Sequence, residues 1–345
     1  MPEPFPPKRP VWKRVDFFLC LLVVLAALMG YLLLAPQSTG GLSPLAAPYE
    51  GEEPELSAEE ASLPVEQMPK SGPVVRFLML NAKNYFVEGE QQRSRYVNKP
   101  KPEEERDAVA QVIASAAPAV VGLVEIGGPR ALADLQQRLR AAGLEYPHAR
   151  VLTRGGEDRA LALLSVYPIV QDHSRADYGL YGHQRRKLLR GILDVTVQTD
   201  DARYFRIVGA HLKSRAGDDE PAAAALRYRE AHTLAFYLRA VMQVQPHMPI
   251  LVFGDWNDTP SDASLRLLEQ GVSRQSALRR LKPRDSRGEE WTHYFRRGNS
   301  YHTFDVILVN SPLRKRMKSS DASGVVDIPA AETASDHRAV WCELR

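Results

Sequence analysis

The chain is poor in cysteine, with only Cys20 and Cys342 among its 345 residues. Small secreted domains that are held together by a disulfide framework need several cysteine pairs, so that class is excluded. Cys20 lies in an apolar segment and Cys342 in the last strand-like run, and we expect no structural disulfide. The low cysteine content is compatible with a cytosolic protein, and equally with a periplasmic protein that does not need disulfides.

Charged residues are absent from Phe17–Ala35, a run long enough as a helix to cross a hydrocarbon core of about 30 Å. A helix buried in a protein core would show a polar face, and this segment shows none. Basic residues precede the run and acidic residues follow it, which places the N-terminus on the cytoplasmic side. The sequence thus predicts a basic cytoplasmic N-terminus at residues 1–14 and a transmembrane signal anchor at 15–35.

A cleaved signal peptide is the competing interpretation, since Ala46-Ala47 could follow a processing site. The apolar core is longer than the usual signal-peptide core, which favours an uncleaved anchor. We therefore expect a single-pass membrane protein whose remaining residues are extracytoplasmic, as in a bacterial inner membrane facing the periplasm.

Aromatic residues are scarce in residues 36–72. This segment contains seven glutamates, and Lys70 is its only basic residue. A segment rich in Pro, Ala, Ser, Gly and Glu buries too little apolar surface to offset the entropy of ordering, so it is predicted to be a flexible linker. The remaining residues, 73–345, have 40 basic and 33 acidic side chains, a formal charge of +7. A moderately basic domain suits an anionic substrate, although it also aids solubility.

Strand-like and helix-like patterns alternate through residues 73–345, without an internal repeat. Period-two and continuous apolar runs predict strands at Val74–Leu80, Ala119–Val124, Ala160–Ser165, Gly191–Val197, Tyr204–Ala210, Ile250–Phe253, Phe304–Val309 and Val340–Leu344. Amphipathic patterns predict helices at Glu103–Ala116, Arg130–Ala142 and Glu220–Val244. This alternation indicates a single α/β domain with helices outside sheet.

Polar residues recur where the apolar strands begin or end. Asn81, Glu125 and His211 each end one, Gly254-Asp255-Trp256-Asn257 follows Ile250–Phe253, and Ser335-Asp336-His337 precedes the last. Acidic groups are costly to crowd together unless a cation or a proton network holds them. This combination predicts a metal-assisted hydrolase of phosphate esters.

These five segments and a sixth, in which Asp305 opens an apolar strand, occur in an order that resembles the endonuclease/exonuclease/phosphatase superfamily. They are Leu80-Asn81, Leu123-Val124-Glu125, His211-Leu212-Lys213-Ser214, Gly254-Asp255-Trp256-Asn257-Asp258-Thr259-Pro260, Phe304-Asp305-Val306-Ile307-Leu308 and Ser335-Asp336-His337. The resemblance spans essentially all of residues 74–345. It implies a four-layer α/β sandwich of two packed, mostly antiparallel β-sheets, with helices outside and the active site at one edge.

The resemblance also implies a role for each residue of the site. Glu125 would be the principal ligand of Mg²⁺ or Mn²⁺, and Asn81 and Asp336 would complete its coordination directly or through water. Asp255 would orient or deprotonate the attacking water, and Asn257 would position Asp255 and contact the phosphate. The resemblance leaves open whether Asp255 or His337 is the general base, so the role belongs to the pair.

The remaining catalytic roles fall to two imidazoles and a carboxylate. His337 would contact the scissile phosphate in a tautomer set by Asp305, and His211 would bind another phosphate oxygen. Taken singly, each of these polar residues has an ordinary structural explanation as a turn, cap or hydrogen-bonded residue. Their occurrence together and in order favours catalysis.

The substrate is less clear from the sequence. Tyr85, Arg186 and Arg190 are candidate substrate-binding residues, although exposed loop positions would explain them equally well. A basic stretch at residues 279–297 could follow a nucleic-acid backbone, face anionic lipid headgroups, or be a solvated surface.

Three functions remain open on the sequence alone. The first is a membrane-anchored phosphodiesterase or phosphatase that uses a divalent metal and whose catalytic domain is monomeric. The second is a DNA or RNA nuclease of the same superfamily, and the third is a non-catalytic binding scaffold.

Overall fold

Two six-stranded sheets and the helices outside them make up the domain, in a computed structural model that describes residues 63–69, 71–93, 98–215, 220–317 and 322–345. The strands are β1 Val75–Tyr85, β2 Val120–Ile126, β3 His148–Arg154, β4 Glu157–Ser165, β5 Ile169–Asp172, β6 Gly179–Leu180, β7 His183–Lys187, β8 Leu193–Gln198, β9 Tyr204–His211, β10 Ile250–Asp255, β11 Arg279–Arg280, β12 His293–Phe295, β13 Ser300–His302, β14 Asp305–Val309, β15 Ser323–Val325 and β16 Val340–Leu344. The helices are α1 Glu103–Ala116, α2 Pro129–Ala141, α3 Glu220–Val244, α4 Ala263–Gln270, α5 Ser311–Arg314 and α6 Ala330–Ala334.

Both sheets are mixed, and each has one parallel pair of strands. The first sheet has the order β15-β16-β1-β2-β4-β3, and only β1 and β2 are parallel. The second has the order β11-β14-β10-β9-β8-β5, and only β9 and β10 are parallel. The remaining pairs are antiparallel. Each parallel pair brings two carboxyl ends to the same edge of its sheet, where the polar residues predicted from the sequence lie.

The inner faces of the two sheets pack against each other through one apolar cluster. It includes Phe77 and Val340 of the first sheet and Phe253 and Ile307 of the second, all buried. The rings of Phe77 and Phe253 lie 5.4 Å apart between centroids. A Cβ at Gly122 or Gly209 would approach the Phe253 ring to 2.6 Å, so both positions require glycine for the ring to fit between the sheets.

Separate apolar clusters attach the helices to the outer faces. Helices α1 and α2 cover the first sheet, and α3 and α4 cover the second. The bounds of α1 and α3 match those predicted, and α1 is followed by Ala117, which has a left-handed conformation before Pro118. The described residues therefore form a four-layer α/β sandwich, as the resemblance implied.

Part of the predicted linker packs against this domain. Val65–Gln67 form a short 3-10 helix, and Met68 is buried with its sulfur 2.9 Å from the backbone nitrogen of Tyr204. Leu63 and Val65 contact the apolar cluster outside the second sheet. The folded domain therefore begins before residue 73, because these apolar side chains pack against its apolar surface.

The predicted N-terminus, residues 1–14, and the predicted transmembrane anchor, residues 15–35, lie outside the described residues. Among the residues that are described, no helix combines the length and the apolar character that crossing a membrane requires.

Candidate active site

The second sheet aligns three functional side chains by register. On β10, Asp255 pairs with His211 of the parallel strand β9 on one side and with Asp305 of the antiparallel strand β14 on the other. Residues directly opposite each other in a sheet point to the same face. His211, Asp255 and Asp305 are therefore neighbours at one edge, and all three are buried.

The first sheet contributes Asn81 and Glu125 from its parallel pair, β1 and β2. The pairing of β2 is irregular at Glu125, whose backbone has φ = +62°. Such an irregularity redirects a side chain out of the regular alternation and is frequent beside active sites. The carboxylate is oriented by the backbone N–H of Asn84, which donates to its Oε2 at 3.0 Å.

The segment before β16 brings His337 to the same edge. Ser335 fixes this segment, since its hydroxyl donates to the carbonyl of Asn81 at 2.8 Å and accepts from the backbone N–H of His337 at 3.1 Å. The ring of His337 then meets Asp305, with Nδ1 and Oδ2 2.7 Å apart.

These side chains form one continuous series of contacts across both sheets. Glu125 Oε1 lies 3.8 Å from His211 Nε2, which lies 3.6 Å from Asp255 Oδ2. Asn81 Nδ2 donates to the same Asp255 oxygen at 2.9 Å, and His337 Nε2 lies 3.9 Å from it. Asp255 is thus the centre of the cluster.

The two imidazoles differ in protonation. Burial, with the added repulsion of Arg190, lowers the pKa of His211 well below its ordinary value. Burial also opposes the charged form of His337, but the carboxylates of Asp305 and Asp255 outweigh it and raise its pKa to about 10. One ring is therefore neutral and the other cationic at neutral pH, a separation typical of sites that move protons.

The central carboxylate is also perturbed. Burial raises the pKa of Asp255 to about 7; the positive His337 opposes this rise, and the nearby Asp305 reinforces it. A carboxyl group with such a pKa exchanges a proton near neutrality, as a general base requires.

Asn257 supports this cluster from the turn after β10. Its backbone, at φ = +50°, lets its N–H donate to Asp255 Oδ1 at 2.9 Å, and its side-chain amide donates to the carbonyl of Leu212 at 3.2 Å. The amide is thus partly used in holding the turn, and the predicted contact with phosphate stays a prediction.

Asp336 lies at the margin of the cluster. Its partly exposed carboxylate pairs with Lys83 Nζ at 3.5 Å. The structure therefore brings together seven of the predicted catalytic and metal-binding residues and places Asp336 beside them, facing the solvent.

The three predicted substrate-binding residues have different surroundings. Tyr85 is fully buried and its hydroxyl donates to Asp134 at 2.7 Å, so the prediction that it binds substrate is not supported: the ring fills the core under α2. Arg186 is exposed on β7. Arg190 is buried beside the centre, with Nη1 donating to the carbonyl of Leu212 at 3.1 Å.

The residues of the cluster fit a divalent cation. Three carboxylates meet here, and the Oδ1 atom of Asp305 is buried with no hydrogen-bond partner in the described part of the chain. Carboxylate and amide oxygens are the donors that Mg²⁺ and Mn²⁺ prefer. Ligand atoms of Asp255, Asp305 and His337 also lie within 4.8 Å of one another, a second group beside the predicted set of Glu125, Asn81 and Asp336.

Several supporting residues escaped the sequence analysis. Arg159 Nε lies 3.7 Å from Glu125 Oε2, and the hydroxyl of Thr292 accepts from the backbone N–H groups of Phe304 and Asp305, both at 3.0 Å. The ring of His293 lies 4.5 Å from that of His337 between centroids. These residues lie in or beside hairpins and are not part of any recognisable motif. Only the resemblance of neighbouring segments to the superfamily could have drawn attention to them.

Comparison with solved structures shows the same fold. The chain is 18% identical to the human Nocturnin catalytic domain, solved with a bound sulfate anion, with a TM-score of 0.55 over 79% of this chain and 94% of that one. It is 14% identical to truncated Caenorhabditis elegans TDP2, with a TM-score of 0.54 over 79% and 98% of the two chains. An endonuclease/exonuclease/phosphatase from Bacteroides vulgatus is 16% identical, with a TM-score of 0.54 over 79% and 99%.

Sequence comparison gives two further findings. A search of curated proteins found no match. The model of the Endonuclease/Exonuclease/phosphatase family, in contrast, matches residues 90–337, well over half of the chain and all but one of the residues in the cluster. The chain therefore belongs to the Endonuclease/Exonuclease/phosphatase family.

Proposed function

We propose that this protein is a divalent-metal-dependent hydrolase of phosphate esters, acting as a phosphodiesterase or phosphatase. One observation supports this most: six side chains from two sheets, Asn81, Glu125, His211, Asp255, Asp305 and His337, form a series of contacts no longer than 3.9 Å. Attack of water on phosphorus needs a carboxylate with a pKa near 7, a cationic imidazole and hard oxygen donors, and the cluster has all three.

In this proposal Asp255 orients the attacking water and accepts its proton, while the N–H of Asn257 holds the Asp255 carboxylate. His337 donates from Nε2 to a phosphate oxygen, because its Nδ1 is engaged with Asp305. His211 binds a second phosphate oxygen, and Arg190 adds positive charge nearby.

A bound Mg²⁺ or Mn²⁺ would neutralise phosphate charge and stabilise the negative charge that develops on the leaving oxygen. We propose that Glu125 and Asn81 hold it, with Asp336 acting through water. The alternative group of Asp255, Asp305 and His337 is less suitable, since the two carboxylates keep the His337 ring protonated, with a pKa of about 10, and a protonated imidazole has no free lone pair for a metal.

The test uses the full chain in maltoside detergent with Mg²⁺, Mn²⁺ or EDTA, and bis-p-nitrophenyl phosphate, plasmid DNA and phospholipid as substrates. We expect metal-dependent hydrolysis that Asp255→Ala and His337→Ala abolish. Asp200→Ala and His183→Ala are matched controls outside the cluster. Activity that survives both cluster substitutions would refute the assignment.

A nuclease is the second candidate, and the +7 charge of residues 73–345 favours it. The basic stretch at residues 279–297 weakens the case, because Arg280, Arg284 and Arg287 are paired with carboxylates 3.2, 2.7 and 3.3 Å away. Cleavage of the small ester without cleavage of nucleic acid at moderate salt would exclude this candidate.

A non-catalytic scaffold is the candidate from another class. It predicts neither hydrolysis of any ester nor Glu125-dependent binding of Mg²⁺. Isothermal titration of wild type and Glu125→Gln with Mg²⁺ therefore separates a scaffold from an enzyme whose substrate is absent from the panel.

We also propose that residues 15–35 anchor the domain outside the cytoplasm. The support is the uncharged run Phe17–Ala35 with basic residues before it. Protease added to intact spheroplasts should digest the domain and spare the N-terminus; protection of the domain would contradict this topology.

A further inference from the structure

A cleft of about 1140 Å³ opens beside the catalytic cluster. Lys83, Ser335 and Asp336 line its end nearest the cluster, and Ser335 and Asp336 directly precede His337. A group attached to a phosphate held at His337 would therefore extend into this cleft.

The hairpin of β12 and β13 forms one wall and is attached to the catalytic segment itself. The backbone N–H of Tyr294 donates to the carbonyl of Asp336 at 3.0 Å, and that of Arg338 donates to the carbonyl of Thr292 at 2.6 Å. This wall is thus held in register with His337 by backbone hydrogen bonds on both sides of it.

Three aromatic rings lie in a row on this wall. The ring of Tyr301 lies 4.9 Å from Trp291 and 4.8 Å from Tyr294 between centroids, stacked on Tyr294 at 24°. Tyr301 is 56% exposed, so a ligand can reach its ring. All three rings line the cleft. The Arg338 guanidinium already lies over the Trp291 ring, 4.2 Å from its centroid, so Tyr294 and Tyr301 supply the remaining aromatic surface.

Much of the remaining lining of the cleft is acidic. Glu104 from the first turn of α1, Glu332 of α6 and Asp327 all line it with exposed side chains. The four cations of the lining do not offset them fully: Lys83 pairs with Asp336, while Arg287 and Arg338 pair with Asp285. Of the five carboxylates in the lining, Asp336 pairs with Lys83 and Glu105 with Lys101. Glu104, Asp327 and Glu332 therefore remain against Arg296, the one lining cation with no ion pair in the described part of the chain, and this makes the space unfavourable for a second phosphate.

We propose that the cleft binds the cationic part of a zwitterionic phosphodiester, an alkylammonium group of the choline type. This inference deepens the proposed function and rests on it. Aromatic faces and carboxylates both attract an ammonium group, the former through the ring quadrupole and the latter through charge. In the reaction, the oxygen of water bonds to phosphorus, the ester bond to the other alcohol breaks, that alcohol leaves with a proton, and the phosphoryl alkylammonium is released.

The kinetic test compares p-nitrophenyl phosphorylcholine with the p-nitrophenyl ester of thymidine 5′-phosphate, using the full chain in maltoside with Mg²⁺ or Mn²⁺. We expect a preference in kcat/KM for the choline ester. Tyr301→Ala should reduce this preference about tenfold and Glu332→Gln several-fold. Phe295→Ala, an exposed ring on the same hairpin outside the cleft, and Glu145→Gln, an exposed acid elsewhere, should leave it unchanged.

Three kinetic results would overturn the inference while sparing the proposed function. One is a preference for the thymidine ester that Tyr301→Ala removes, which would make the rings a platform for a nucleobase. Another is a preference for the choline ester that neither cleft substitution changes. The third is hydrolysis of both esters with no preference.

If neither ester is hydrolysed, that result counts against the proposed function. A binding measurement still tests the inference in that case. Isothermal titration with choline should show binding to wild type, about tenfold weaker binding to Tyr301→Ala, and still weaker binding of the neutral isostere dimethylbutanol to wild type. Absence of choline binding, or equal binding of the isostere, would overturn the inference whatever the activity.

Discussion

The carboxylate of Asp305 and the imidazole of His337 meet at 2.7 Å between Oδ2 and Nδ1, although 32 residues separate them in the chain. Asp305 begins a strand of the second sheet, whereas His337 precedes a strand of the first. The pair therefore joins the two sheets and, at the same time, fixes which nitrogen of His337 faces Asp255.

Asp305→Asn tests this pair. The amide keeps the shape but removes the charge that keeps His337 protonated and oriented, so we expect kcat for bis-p-nitrophenyl phosphate to fall by about 10²- to 10⁴-fold. Asp200→Asn, an exposed carboxylate outside both the cluster and the cleft, serves as the control. A loss below threefold with an unchanged circular dichroism spectrum would show that the pair is structural only.

Glu125→Gln tests the metal site. Replacing one charged oxygen ligand by a neutral one should weaken Mg²⁺ binding by at least about tenfold, measured by titration calorimetry. Asp336→Asn should have a smaller effect, because the Asp336 carboxylate pairs with Lys83 at the margin of the cluster. A larger loss of Mg²⁺ binding in Asp336→Asn than in Glu125→Gln would indicate that Asp336 is the principal ligand.

Tyr85→Phe distinguishes a core residue from a substrate-binding one. Loss of the hydrogen bond to Asp134 should reduce the free energy of unfolding by about 1 kcal/mol, measured by urea denaturation. KM should not change, since the hydroxyl is buried. A raised KM with unchanged stability would restore the prediction that Tyr85 binds substrate.

A buried ion pair on the second sheet provides a stability test. Arg206 and Asp194 are both fully buried, with Nη2 and Oδ2 2.6 Å apart, and Tyr237 and Gln245 complete their hydrogen bonds. Arg206→Met leaves an unpaired buried carboxylate, so we expect a loss of about 3–5 kcal/mol in the free energy of unfolding. The double substitution Arg206→Met with Asp194→Leu should recover part of it; no recovery would argue against an electrostatic origin.

The pH dependence of stability should reveal the pair of Asp285 and Arg338, 2.9 Å apart. Burial opposes ionisation of Asp285, but backbone N–H donors and Arg338 outweigh it and lower its pKa to about 2. Because the folded pKa is depressed, the stabilisation is complete above the unfolded pKa of about 4 and is lost as pH falls toward 2. The difference in unfolding free energy between wild type and Asp285→Asn should shrink by about 2 kcal/mol from pH 6 to pH 2; a constant difference would contradict this.

The strands and helices with strong periodicity were predictable. The bounds of α1 and α3 are as expected, and the eight predicted strands are present with shifts of a few residues at their ends. The short elements were not: β3, with its weak alternation, and the β12–β13 hairpin depend on neighbours that are distant in sequence. The burial of Tyr85 was also not predictable. Its position at a strand end resembles that of a functional residue, although its ring is buried.

The linear order of six polar segments was enough to indicate the family and its chemistry, because each functional side chain follows or precedes a strand that hydrophobic patterning makes recognisable. Local sequence could not tell that the first sheet would supply Glu125 while the second supplies Asp255, nor that a hairpin around Tyr301 would line the same cleft as acidic residues from two helix ends. Those relationships arise from register and from sheet-on-sheet packing, in which contacts between residues far apart in the chain determine where each side chain lies.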